Sequence, residues 1–200
     1  MLSPKTQSRL AELEKRLSLR SEFCLDLLAE SDWSFFVKTH ALFEAALTRL
    51  LVQQLAQPKL AIRLARLSMS EKLEFAKSLE YVEKEERRFV SKWSGLRNDL
   101  VHDITNTSFD IKAHIALLSD KAIETFCGNF YLKGWHQPDI LTPPGLEAAK
   151  ADPKEFLFLG AMSLLEQWSH YFDWADNERE MEHMNWFLEN FGKETDSEEI

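Results

Sequence analysis

Apolar residues recur along this chain at spacings of three and four, the period of one helical face, and no stretch shows the alternation of a half-buried strand. Leu10, Leu13 and Leu17 form a first short stripe, followed by Phe23, Leu27 and Leu28. Ser31 or Asp32 is placed to cap the next helix, which carries Phe36, Phe43, Leu47, Leu50 and Leu51 and is ended by Pro58. That helix is apolar over much of its circumference, which predicts a central position. Ser68-Met69-Ser70-Glu71 reads as a capping box, with Phe75, Leu79 and Val82 on the inner face that follows and Leu73 and Ala76 flanking it. A further helix holds Phe89, Trp93, Leu96 and Leu100, and Asp103-Ile104-Thr105-Asn106 breaks it. Thr107 or Ser108 can cap a helix with Asp110 in its first turn and Ile111, Ile115, Leu118, Ala122 and Phe126 as its core stripe.

Residues 134–145, with Pro138, Pro143 and Pro144, read as a linker. Asp152-Pro153 reads as an N-cap followed by an N1 proline, opening a helix with Phe156, Leu159, Leu164, Leu165, Trp168 and Phe172. A last helix carries Met184, Phe187 and Leu188, and residues 194–200 are expected to fray. The predicted fold class is all-α: a four-helix bundle over residues 32–132, preceded by a helical preface (1–31). A linker (133–151) and an acidic helical extension (152–200) follow it.

A hydrophobic content of 44%, with six Trp and fourteen Phe in 200 residues, is ample for a packed core. Cys24 and Cys127 lie far apart with no Cys-x-x-Cys, which suits a reducing cytoplasm and free, buried packing. The first residues lack the apolar stretch of a signal peptide, and the longest apolar run, residues 156–165, is too short to span a bilayer. These features predict a soluble cytoplasmic protein. Charge is uneven: residues 1–134 carry 20 Lys+Arg against 18 Asp+Glu, and residues 135–200 carry 4 against 15. A strongly basic nucleic-acid footprint is absent, so any RNA contact is expected to be local, and the acidic tail would repel a polyanion.

The segment richest in chemistry is Arg97-Asn98-Asp99-Leu100-Val101-His102, at the end of an apolar helix. Histidine moves protons near neutral pH, and arginine is a permanent planar cation matched to phosphate. A four-helix unit whose third helix ends in Arg-Asn-x-x-x-His resembles the HEPN superfamily of helical nucleotide-binding domains over residues 32–132. Within it, residues 35–44, 67–73 and 96–103 are similar to the mannitol operon repressor family, whose members have a similar length and a C-terminal helical region. The first resemblance implies an all-α bundle, frequently a homodimer. For active members it implies a metal-independent endoribonuclease, often a toxin or defence effector, with no cofactor and with an antitoxin or regulatory protein as partner. The second implies a non-enzymatic regulator that binds a protein. The chain departs from the toxins that pair with a nucleotidyltransferase, which often carry a tyrosine where Ile104 stands here.

If RNA is cleaved, the 2′-OH attacks phosphorus. His102 would serve as base or acid, Arg97 would stabilise the charge of the transition state, and Asn98 would orient a phosphate oxygen or His102. Residues five apart on an ideal helix differ by about 140° around its axis. Either the helix unwinds at His102, or substrate bridges the pair from the helix end. One imidazole does not readily serve as base and acid at once, so a two-fold dimer bringing a second Arg97–His102 pair to the same groove is expected. The structural alternative pairs Arg97 with Glu44 and places His102 on the helix dipole.

Other constellations are weaker. His102-Asp103 with His40 and Asp110 or Asp120 resembles, on paper, an HD-type metal site, but the glycine often found after the dyad is absent. Glu180-Met181-Glu182-His183 has one Glu-x-x-His where a di-iron bundle needs two. Trp168, Tyr171, Phe172, Trp174, Trp186 and Phe187 stand among acidic residues, which favours core or a partner interface over base stacking.

Overall fold

The computed structural model describes the backbone of residues 2–132 and 143–191, and the side chains of 2–132 and 146–172 apart from Pro58 and Ile104. Among these residues the chain is all-α, with no strand. The helices are α1 (Pro4–Arg16), α2 (Phe23–Ala29), α3 (Asp32–Gln54), α4 (Ala61–Ala65), α5 (Met69–Ser78), α6 (Lys84–Val101), α7 (Ile111–Ala116), α8 (Asp120–Phe130), α9 (Pro143–Ala151) and α10 (Pro153–Phe191). Short 3-10 turns lie at Pro58–Leu60 and Ile104–Ser108. The expected frayed end at 194–200, the side chains of Met184, Phe187 and Leu188, the Glu180–His183 constellation, and the side chains of Trp174 and Trp186 fall outside the described residues.

Ser31 caps α3, its Oγ accepting from the Ser34 N–H at 3.3 Å. Phe35, Phe36, Phe43, Leu47, Leu50 and Leu51 are buried, a face too wide for a peripheral helix. α6 runs antiparallel to α3: Leu100 lies beside Trp33, Trp93 beside Phe36, and Phe89 beside Phe43. Trp93 is the centre of this seam, with ring centroids of Phe35, Phe36, Phe43 and Phe130 at 5.6, 4.9, 5.3 and 6.0 Å. Its indole N–H donates to the Phe36 carbonyl at 3.1 Å, so no polar group is stranded there.

The segment expected to be a C-terminal extension begins instead as the second central helix. Asp152 caps α10, accepting from the Glu155 N–H at 2.9 Å, and Pro153 takes the first turn. Phe156, Leu157, Phe158, Ala161, Met162, Leu164, Leu165 and Trp168 are all buried, and the helix is apolar around its whole girth there. α10 makes its largest interface with α3, and one hydrophobic cluster runs from Leu10 to Phe172. The ten-residue apolar run too short for a membrane is thus a core helix. The backbone continues as one helix to Phe191 where two were expected, and α9 occupies 143–151, inside the expected linker. Among the described residues no helix is long and apolar enough to cross a membrane.

Two further expectations change. Phe75 is 38% exposed, because α5 turns Met69, Lys72, Leu73 and Ala76 inward. The single helix expected from residue 111 is two. Ser119 recaps the chain, accepting from the Ala122 N–H at 3.4 Å, and the buried stripe shifts to Ile123, Cys127 and Phe130.

Candidate functional site

The last turns of α6 are closed off by side chains from outside the helix. A helix leaves its final carbonyls without partners. Here the Trp33 indole donates to the Leu100 carbonyl at 3.2 Å, and Asn106 Nδ2 donates to the Asp99 carbonyl at 2.9 Å. His102 keeps right-handed helical angles (φ −82°, ψ −12°), and its N–H bonds the Asn98 carbonyl at 3.1 Å. The break comes one residue later, at Asp103 (φ −128°, ψ 119°). The Asp103 carboxylate accepts from the Thr105 N–H at 2.9 Å and the Thr105 hydroxyl at 2.7 Å, and these bonds hold its carboxyl below the usual value.

The helix therefore does not unwind at His102. Of the two expected geometries, the one left is a substrate that bridges from the helix end. His102 is exposed, and Arg97 is half-buried about a turn and a half before it, roughly 7.5 Å along the axis and about 140° around it. Asn98 is exposed, and its Oδ1 accepts from Arg97 Nη1 at 3.1 Å, so it orients the guanidinium rather than the imidazole.

The expected Arg97–Glu44 pair does not form. Glu44 Oε1 pairs instead with Lys72 Nζ at 3.1 Å, and the Lys72 side chain is 1% exposed. Among the described residues no carboxylate lies within ion-pair distance of Arg97. Its Nε is buried and bonds nothing. An unpaired buried N–H of a cation is costly, and such a group calls for an acceptor.

Sequence reasoning offered His40 only as a metal ligand and missed Ser94, and the structure pairs the two on the face of α6 that carries Arg97. His40 of α3 is buried, at 8% exposure, and its Nε2 lies 3.1 Å from the Ser94 hydroxyl of α6. Ser94 and Arg97 are three apart, on one face of α6. Burial pushes the His40 imidazole below its ordinary value. The Arg97 and Lys72 cations push it further the same way, against the opposing pull of Glu44. The available signal was the pair of facing helices, α3 and α6, but their register is not written in either one alone.

The metal reading loses its ligands. Among the described residues no three His, Cys, Asp or Glu side chains are gathered to hold a metal ion, so His40, Asp103, Asp110 and Asp120 do not join His102 in one. Trp168 and Phe172 are buried and cannot stack on bases. Burial pushes the Cys24 thiol to about 12, with help from Glu14, and the Cys127 thiol to about 11, so both are inert packing groups. A groove of about 670 Å³ between α3, α4 and α5 holds two cations, Arg49 and Lys72. Arg49 donates to the Arg16 carbonyl and lies over the Phe172 ring, and Lys72 pairs with Glu44, so neither is open to a phosphate. Comparison with protein-family models, curated proteins and solved structures finds no match to this chain.

Proposed function

We propose that this chain is a metal-independent endoribonuclease of HEPN type, of the toxin or defence kind, working as a homodimer with RNA laid across the ends of the two α6 helices. Arg97 stabilises the extra negative charge on the pentavalent phosphorus, and His102 exchanges a proton with the attacking or leaving oxygen. Asn98 keeps the guanidinium turned to the site. The reading rests on one observation above others: a half-buried arginine with no carboxylate partner and an unsatisfied Nε, on the same helix end as an exposed imidazole. A phosphate would supply the counter-charge that the guanidinium lacks. The products are a 2′,3′-cyclic phosphate and a 5′-hydroxyl.

One observation favours a second reading. Arg97 and His102 stand on different faces of α6, as they would in a non-enzymatic regulator of the mannitol-repressor kind that binds a protein partner, an antitoxin or a regulatory protein. Incubation of the purified protein with total RNA and a chelator, beside His102→Ala and Arg97→Ala, separates the two. The ribonuclease gives chelator-resistant cleavage that both variants lose. Absence of cleavage by folded wild-type protein refutes it in favour of the regulator. Cleavage that the chelator abolishes refutes the metal-independent mechanism.

A further inference from the structure

Arg97 shares a face of α6 with Ser94, and Ser94 bonds an imidazole that is not the one the Arg-x4-His spacing offered. The antiparallel register of α3 and α6 puts His40 opposite Ser94, and Arg97 lies close enough to His40 to disfavour its protonation. Four charged or titratable groups meet at this seam: His40 and Glu44 from α3, Lys72 from α5 and Arg97 from α6. Glu44 is claimed by Lys72. Arg97 is left as an uncompensated cation with a buried, unpaired Nε. Ser94 is half-buried, and its hydroxyl lies 3.1 Å from an imidazole that solvent barely reaches.

We propose that the seam between α3 and α6 is the site for an RNA phosphodiester, and that His40, acting through the Ser94 hydroxyl, accepts the proton there. The proposal rests on the ribonuclease reading and alters one part of it. A single histidine was the chemical reason for borrowing a second from a partner copy. With His40 in place as the base, the second copy supplies the acid, because Ser94 and His102 of one chain are eight residues apart, about 12 Å along α6, too far to serve one phosphorus.

The step balances. The 2′-OH gives its proton to Ser94 Oγ as that hydroxyl passes its own proton to His40 Nε2. The 2′-oxygen bonds phosphorus, and the bond from phosphorus to the 5′-oxygen breaks with its electron pair on oxygen. That oxygen takes a proton from the imidazolium of the partner's His102. His40 ends protonated and the partner's His102 neutral, and exchange with water restores both. His40 suits the accepting role because burial, Arg97 and Lys72 keep it in the neutral form that can take a proton. A bound phosphate offsets the Arg97 charge, so docking of substrate is what raises the proton affinity of the base.

That coupling can be read without cleavage. In the full chain, the imidazole resonances of His40 are titrated with and without a 2′-deoxydinucleotide, which carries the phosphodiester and cannot be cut. The midpoint is expected to rise with the ligand in the wild type and to stay fixed in Arg97→Gln. A midpoint that ignores the ligand overturns the site. A rise produced equally by inorganic phosphate at the same concentration overturns the phosphodiester assignment in favour of a free-phosphate site. With RNA, His40→Asn and Ser94→Ala are expected to lower kcat by about 10²–10⁴-fold with KM nearly unchanged, and to flatten the acid limb of the pH profile. Ser94→Thr, which keeps the hydroxyl, restores both. A folded His40→Asn that cleaves with wild-type rate and profile overturns the role of His40 and leaves Arg97 and His102 standing. If the wild type cleaves nothing but the His40 midpoint still follows the dinucleotide, the ribonuclease reading fails and the phosphodiester site remains. Co-expressed His40→Asn and His102→Ala chains, each inactive alone, are expected to regain cleavage, because one groove of the mixed dimer keeps both imidazoles. A mixed dimer that forms and cleaves nothing would overturn the pairing of His40 with the partner's His102.

Discussion

Replacing Glu44 by Gln tests how the seam is held. The Lys72 side chain is 1% exposed, so its ammonium depends on protein partners. Glu44 Oε1 lies at 3.1 Å, and the other acceptor, the Ala65 carbonyl, lies at 3.5 Å, too far for a good bond. Breaking a buried pair by removing one member costs about 3–5 kcal/mol, because an uncompensated charge remains. Glu44 is itself 39% exposed, so water can enter beside the ammonium once the carboxylate is gone. We therefore expect about 2–3 kcal/mol for Glu44→Gln, below the fully buried range. At this chain length that is a fall in Tm of about 4–12 °C. Lys72→Met keeps the stem and removes the charge, so no ion has to be desolvated, and its cost is expected within about 1 kcal/mol.

Urea denaturation followed by tryptophan fluorescence measures both, since Trp93 and Trp168 are fully buried reporters. The double variant should fall near Lys72→Met alone, because the amide that replaces the Glu44 carboxylate faces no charge once the ammonium is gone. A cost below about 1 kcal/mol for Glu44→Gln, or a cost for Lys72→Met equal to that of Glu44→Gln, would refute this account of the pair.

Leu165→Ala should destabilise by about 2–5 kcal/mol, as much as Leu47→Ala on α3, in one cooperative transition. A separate early transition would show residues 152–200 folding apart from the rest. Stability should fall on acidification through His40: its proton affinity is depressed on folding, so the contribution is complete above the ordinary value of 6.5 and is lost as pH drops through the folded value. Denaturation midpoints between pH 7.5 and 5 in wild type and His40→Asn check this, and equal slopes would contradict it. Arg97→Leu should leave stability unchanged or raise it by up to about 1 kcal/mol, because it removes a buried unpaired N–H, while it abolishes cleavage. A loss above about 2 kcal/mol would make Arg97 a structural residue.

The elements that were legible in the sequence are those fixed by neighbours a few residues apart. Ser68 and Glu71 bond one another as a capping box, and Asp152-Pro153 opens α10 by the same local logic. Pro58 closes the segment after α3. What was not legible depends on partners far along the chain. Lys72 looks like a surface residue until Glu44, 28 positions away, is brought to it. The carboxylate of Glu14 in α1 caps α2 from outside, accepting from the Cys24 N–H at 2.8 Å and the Glu22 N–H at 3.0 Å. α10 changes character midway along its length, and the acidic composition of residues 135–200 hid a first half that is core. At the site, Arg97 and His102 were visible as a spacing, whereas His40 was visible only as a metal-ligand candidate and not as the partner of Ser94, because it comes from another helix 54 residues before Ser94.

The contrast between Arg97 and its surroundings is what supports the proposed reading of it as a functional cation. Lys72 has Glu44, Lys154 has Asp32, and Arg20 has Asp26. The carbonyls of Asp99 and Leu100, which any helix end must dispose of, are taken by Asn106 and Trp33. Had Arg97 been retained only to stabilise the bundle, a carboxylate from α3 or α5 within reach of the guanidinium would have been worth more than the unpaired Nε, and Glu44 already stands on α3 a turn from His40. Glu44 instead turns to Lys72, and the guanidinium keeps a side-chain amide as its near partner. Stability left unrealised at a half-buried cation is what the proposal accounts for, since on that reading the counter-charge arrives with the ligand.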